Sequence, residues 1–246
     1  MRYLMTFSYD GSKYNGYQKQ PNKRTIQSEI EKALTTINSN CFVSISASGR
    51  TDALVHAINQ KAHFDLNINI TCDKLKKAIN SLIPKDIYVK KIEVVNNDFH
   101  ARYNVLAKQY IYKINIGEYN PIEKDYVLQL CHNLNIAEIK KALKYLEGTH
   151  NFKSFVKANP DITDYTRTII ETDIKEENNI LIISFLGTGF LRYMVRNMVG
   201  LLIEIGLGKR KSEDVIIILN KEDRTSSGIT ALPNGLYLKD VFYEKI

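Results

Sequence analysis

The sequence has no tryptophan, three cysteines and five prolines in 246 residues. No apolar run approaches the roughly eighteen residues that a membrane-crossing helix needs. Cys41, Cys72 and Cys131 are odd in number and unrelated in spacing, with no Cys-x-x-Cys pair. That pattern excludes a disulfide framework and a structural zinc site, and fits a reducing, cytoplasmic setting. The five histidines (His56, His63, His100, His132, His150) show no His-Glu-x-x-His or other ligand spacing, so no metal is expected. The start, MRYLMTFSYDG, has no basic segment followed by an apolar one, so neither secretion nor membrane spanning is expected. Gly-x-Ser-x-Gly and Gly-x-Gly-x-x-Gly patterns are absent, which removes the common hydrolase elbow and the dinucleotide fingerprint. Gly206-Leu207-Gly208-Lys209 imitates a phosphate loop, but Ile203 stands where its first glycine should be, and the segment follows a helix. It reads as a helix C-cap with a basic turn.

What is present is an ordinary globular composition, 44% hydrophobic and 25% charged, with a basic excess of +7. The excess is uneven. Residues 1–123 carry 17 basic and 11 acidic side chains, whereas residues 124–246 carry 17 and 16. A basic first half is what a polyanion-binding surface requires. Only nine of the 34 basic residues are arginine. Each scarce arginine therefore attracts attention as a planar, permanently charged fork.

Periodicity predicts an α+β chain. Residues 2–9 alternate and stop at Asp10-Gly11, a strand and a turn. Thr25 should cap a helix with Ile26, Ile30, Ala33, Leu34 and Ile37 on its apolar side. Strands follow at about 42–48 and 56–65, then a helix capped by Thr71 and stopped by Pro84, then a strand at 86–95. The order β-α-β-β-α-β is that of a ferredoxin-like unit. A second pass through the same order begins with strand material from Phe99 to Gly117 and a helix over 136–147 closed by Gly148. A hairpin over 165–176 and 180–187, turning at Asn178-Asn179, comes next. A buried helix from Phe190 to about Ile205, a short helix capped by Ser212 and a last strand at 236–243 complete it. Two units, 1–98 and 99–246, are expected from an internal duplication, with mostly antiparallel sheets and helices on one face.

Three segments could carry chemistry. Ser48-Gly49-Arg50-Thr51-Asp52-Ala53 interrupts two strands with a carboxylate beside a scarce arginine. It is either a turn aspartate bonding its own backbone or an ionised nucleophile or base on a rigidly held loop. Lys108, Tyr110 and Tyr112 share one strand face. That face is either core or an exposed surface that stacks bases and neutralises phosphates. Arg192 and Arg196 are four apart in an apolar run, so they should share a helix face. A carboxylate from elsewhere, Asp52 among the candidates, is the natural partner of such an arginine.

These residues resemble the tRNA pseudouridine synthase A family. Gly49-Arg50-Thr51-Asp52-Ala53-x-Val55-His56-Ala57 is similar to its catalytic signature. The likeness runs along the whole chain, through Tyr9-Asp10-Gly11, Gly16-Tyr17-Gln18, Phe99-His100-Ala101-Arg102, Tyr110-x-Tyr112, Thr166-Arg167-Thr168, Met194-Val195-Arg196-Asn197 and Pro233-Asn234-Gly235-Leu236. Two departures stand out: Leu54 where the family usually has glycine, and Arg192-Tyr193 where it usually has Tyr-His.

The resemblance implies conversion of uridine to pseudouridine at positions 38, 39 and 40 of the tRNA anticodon arm. It implies two ferredoxin-like units forming a continuous sheet around a catalytic cleft, and a homodimer. Substrate and product are isomers, so no redox cofactor and no energy source are needed, and the resemblance implies no cofactor and no metal. Asp52 would be the nucleophile or base. Arg50 would fill the space of the flipped base or steer phosphates, Tyr110 would contact uracil, and Arg196 would keep Asp52 charged. A catalytically silent RNA-binding module is the competing class; it would have no use for the Asp–Arg–Tyr set.

Overall fold

The computed structural model describes residues 1–157 and 163–244. Along the chain run β1 (Arg2–Tyr9), α1 (Ile26–Ile37), β2 (Ser46–Ala47), β3 (His56–Asp65), α2 (Cys72–Leu82) and β4 (Ile87–Val95). They are followed by β5 (Ala107–Asn115), β6 (Leu128–Gln129), α3 (Ile136–Leu146), β7 (Gly148–Asn151), β8 (Thr166–Glu177) and β9 (Ile180–Gly187). The last elements are α4 (Met194–Gly206), α5 (Asp214–Lys221) and β10 (Leu236–Phe242). The fold is α+β, with mostly antiparallel strands and five α-helices among the described residues.

Two compact units emerge, one of residues 1–106 and 237–246, the other of residues 107–236. β10 pairs in parallel with β3 through Tyr237 and Leu238, which brings residues 237–246 into the first unit.

In the first unit β1 lies between β4 and β3, antiparallel to both, and β2 pairs with the far edge of β3. That is the strand order of a split βαβ unit. Tyr3, Met5 and Phe7 alternate into the core, to which Ile26, Ile30, Leu34, Leu75 and Ile79 also belong, all fully or almost fully buried. Thr25 caps α1 as expected, its hydroxyl accepting from the Ser28 N–H in a reciprocal capping box. Thr71 occupies the cap position of α2 without a side-chain bond.

Two expected strands shorten, for one reason. In 42–48, the Val43 N–H goes to Thr35 Oγ1 and the Ile45 N–H to Glu31 Oε1, so α1 takes the donors that a ladder would need. In 99–106, Arg2 binds the Asn97 and Phe99 carbonyls, and the Ala101 N–H donates to His63 Nδ1. Strand β5 therefore starts only at Ala107.

In the second unit β9 lies between β5 and β8, with β7 beyond β8, all antiparallel; β6 runs parallel to β5. Asn178 and Asn179 turn the β8–β9 hairpin with φ of 53° and 62°, the left-handed pair that a tight two-residue loop demands. Gly148 closes α3 at φ 100°. Ser212 does not cap α5. It is fully buried, and its hydroxyl donates to the Glu138 carboxylate at 2.9 Å.

The Phe190–Ile205 run becomes helical only at Met194, because Tyr193 adopts φ 66°. Arg192 therefore precedes the helix and shares no helix face with Arg196. The Lys108–Tyr110–Tyr112 face is not an exposed stacking surface either. Tyr112 is fully buried with its hydroxyl donating to the Leu232 carbonyl, and Tyr110 is 8% exposed.

Candidate active site

The loop from Ser48 to Val55 leaves β2 and enters β3, and its backbone is braced from three sides. Buried Ser48 donates to Gln60 Oε1 at 2.7 Å, and Gln60 Nε2 donates to the Gly49 carbonyl at 3.0 Å. The Thr51 side chain bonds the Tyr9 hydroxyl at 2.8 Å, beneath the loop. Burial pushes the Tyr9 hydroxyl up to about 12, against the opposing hydrogen bonds from Thr51 and Gln60, so it stays protonated. The third brace is the 14–17 segment. Its Tyr17 N–H donates to the Thr51 carbonyl, while the Leu54 N–H donates to the Tyr14 carbonyl.

Two glycines let the backbones meet. A Cβ on Gly11 would stand 2.0 Å from the Val55 carbonyl oxygen. Gly16, at φ 94°, lies against Thr51, Asp52 and Ala53. The Gly11 N–H also donates to His56 Nδ1, which lies 3.2 Å from the Asp10 carboxylate and whose ring stacks on Tyr237.

Asp52 is half-buried at the centre of this brace, and the Val55 N–H donates to its backbone carbonyl. Arg50, on the same loop, is exposed. A half-buried carboxylate on a loop without freedom to recoil can serve as nucleophile or base. Tyr110 and Arg196 belong to the other unit. Tyr110 sits mid-strand in β5 and meets the Phe190 ring edge-on at 5.1 Å. Arg196 lies in the first turn of α4, with its Nε donating to the Ala231 carbonyl at 2.8 Å. Its charge counters the burial that otherwise raises the Tyr112 hydroxyl.

Sequence reading missed the bracing residues Tyr9 and Gln60, whose role depends on contacts across 42 and 12 positions. It also missed Lys157, whose ammonium joins the Arg192 and Arg196 guanidinium groups around the Tyr193 ring, at 5.8, 5.2 and 4.9 Å from its centroid. No group of His, Cys, Asp and Glu able to hold a metal occurs among the described residues.

Leu54, the departure noted in the sequence, has φ 66° and is 42% exposed. A left-handed residue with a Cβ costs roughly 1–2 kcal/mol. Leu54→Gly is expected to stabilise the protein by up to about 1 kcal/mol after the greater unfolded freedom of glycine is deducted. Leu54→Val, whose branched Cβ suits this conformation least, should lose about 1 kcal/mol or more. Urea melts that placed both variants at the wild-type midpoint would remove the strain.

Known proteins resemble this chain along nearly its whole length. A sequence profile described as tRNA pseudouridine synthase matches residues 5–104 and 142–244. The tRNA pseudouridine synthase A of Anoxybacillus flavithermus is 42% identical over 243 residues, covering 99% of either chain. That of Limosilactobacillus reuteri is 42% identical over 247 residues, covering 98% of this chain and 96% of the relative. That of Exiguobacterium sp. is 42% identical over 245 residues, covering 100% and 99%. With likeness of this extent, the chain belongs to the tRNA pseudouridine synthase A family, isomerases that modify tRNA.

Proposed function

We propose that this enzyme converts uridine to pseudouridine at positions 38, 39 and 40 in the anticodon arm of tRNA, with Asp52 as its reacting carboxylate. The observation that carries the reading is the braced loop: Asp52 sits in the family's signature, on backbone fixed by Tyr9, Gln60 and the Tyr14–Tyr17 segment. The reaction breaks the N1–C1′ bond, turns the uracil and re-forms the glycosidic bond to C5, with one proton leaving C5 and one arriving at N1. Substrate and product have the same atoms and oxidation state, so the chemistry requires neither redox partner nor energy source. Asp52 either attacks C1′ or takes a proton from C2′; both routes use the ionised carboxylate.

The uridine must leave its stack before either route opens. Arg50, exposed on the same loop, is assigned to the space left by the base or to its phosphates. Tyr110 is assigned to the uracil and its C5 proton, and Arg196 to keeping Asp52 ionised. A homodimer in the cytoplasm and a division born of duplication complete the reading. Mass-spectrometric mapping of pseudouridine in tRNA from cells lacking the gene tests it. Retention of all three modified positions would overturn it.

The two candidate duties of Tyr110 separate by substitution. Tyr110→Phe keeps the ring against Phe190, so the thermal midpoint should hold while single-turnover product formation slows by about 10²-fold or more. Tyr110→Ala empties a nearly closed site and should cost about 3–5 kcal/mol. A Phe variant with wild-type rates would return Tyr110 to packing alone.

A further inference from the structure

The residues between β4 and β5 contain one large exposed aromatic ring, and the catalytic reading leaves it unused. Tyr103 is 76% exposed. Single exposed aromatics are common and usually mean nothing. This one is mounted. Its ring lies on His100, with centroids 4.3 Å apart and planes 30° apart. His100 in turn meets His63 edge-on at 4.6 Å.

His63 is buried on β3, and burial, aided by the neighbouring His100, pulls its pKa down to about 4. It is therefore a neutral ring at physiological pH, consistent with accepting the Ala101 N–H at Nδ1. The loop itself is pinned by several bonds on either side of Tyr103. The His100 N–H donates to Asn104 Oδ1, the Arg102 N–H to His100 Nδ1, and the Asn104 N–H to the His100 carbonyl. The Tyr243 hydroxyl donates to the Ala101 carbonyl at 2.7 Å. A tyrosine so supported presents its ring with little conformational entropy left to lose.

The charge beside it is positive. The Arg102 guanidinium lies 6.0 Å from the Tyr103 centroid and makes no ion pair among the described residues. The other nearby arginine, Arg2, is engaged by Asp65 through two hydrogen bonds. An open aromatic face next to an uncompensated guanidinium matches a nucleotide, whose base stacks and whose phosphate carries the opposite charge.

We propose that Tyr103, backed by His100 and flanked by Arg102, is a second RNA contact. It stacks on an unpaired base of the tRNA other than the reacting uridine, and Arg102 meets the adjoining phosphate. The proposal rests on tRNA being the substrate and adds a binding site outside the catalytic set.

The test measures tRNA Kd and pseudouridine formation separately, with the full-length protein and an unmodified tRNA transcript. Tyr103→Ala should weaken binding about tenfold, equivalent to about 1.4 kcal/mol, the range of one stacked base. Tyr103→Phe should stay within about twofold, because the ring is kept. Arg102→Gln should weaken binding and lower the salt slope by roughly 0.7–0.9, the value of one phosphate contact.

An unchanged Kd for Tyr103→Ala overturns the proposal. So does an Ala variant that binds tRNA normally but changes its association state by light scattering, since the ring would then be a protein contact. A wild-type chain that binds tRNA without making pseudouridine overturns the proposed reaction and leaves the Kd comparison decisive for Tyr103. A wild-type chain that does not bind tRNA overturns both.

Discussion

Asp52→Asn is expected to abolish multiple-turnover pseudouridine formation, a loss on the order of 10⁴-fold or more, while the protein stays folded. The amide has nearly the shape of the carboxylate but can neither attack C1′ nor accept the C2′ proton. The loop also has support apart from the carboxylate. Its backbone is held by the Val55 N–H on the Asp52 carbonyl, the Tyr17 N–H on the Thr51 carbonyl and the Gln60 amide on the Gly49 carbonyl. Thermal melts, tRNA binding and product formation, measured on one preparation, separate the effects. Normal melting and binding with no product identifies Asp52 as the reacting group. Repeated turnover by the Asn variant would rule it out, and an early melt would make the aspartate a structural turn residue.

The helices were the most legible part of the fold, because helical spacing and caps act over a few residues. Ile26, Ile30, Ala33 and Leu34 are buried on α1 as their spacing predicts, and Thr25 caps it. The two shortened strands share a cause. Ile45 looks like strand until Glu31, fourteen positions back, takes its N–H. Residues 99–106 look like strand until Arg2 takes the Asn97 and Phe99 carbonyls. Backbone groups claimed by distant side chains leave no trace in local alternation. The α4 boundary slipped for a different reason. Hydropathy cannot report that Tyr193 turns left-handed, so the arginines read as one helix face end up around one ring. The candidate site was legible as a motif and illegible as a mechanism of support. Asp52 stood out by its neighbours, whereas the Tyr9–Thr51 and Ser48–Gln60 bonds that fix its loop join residues with no sequence relation.

That support makes Gly11 the second residue whose replacement should have a large effect. Its φ lies outside the left-handed range, so alanine is conformationally acceptable there and would normally stabilise by about 0.4–1 kcal/mol. Space forbids it. The added Cβ would stand 2.0 Å from the Val55 oxygen and 2.6 Å from the Val55 carbonyl carbon, so one backbone must retreat by more than about 1 Å. Neither side yields easily. Tyr9 is paired on both edges, with Ala57 and Ile87, and the Asp10 N–H is held by the Asp86 carbonyl. Val55, only 1% exposed, leads directly into β3.

Gly11→Ala should therefore destabilise by about 2–4 kcal/mol. It should also slow product formation by about 10²-fold in the molecules that remain folded, because displacement of Val55 carries Asp52, three residues away, out of its reacting position. Gly208→Ala provides the control: φ is 72° there, but nothing lies within 4 Å of the added carbon. It should cost about 1 kcal/mol through the backbone alone, with unchanged rate. Urea melts and single-turnover assays on both variants decide the matter. A Gly11→Ala protein that melted and reacted like the wild type would mean that the loop carrying Asp52 is not braced by this contact.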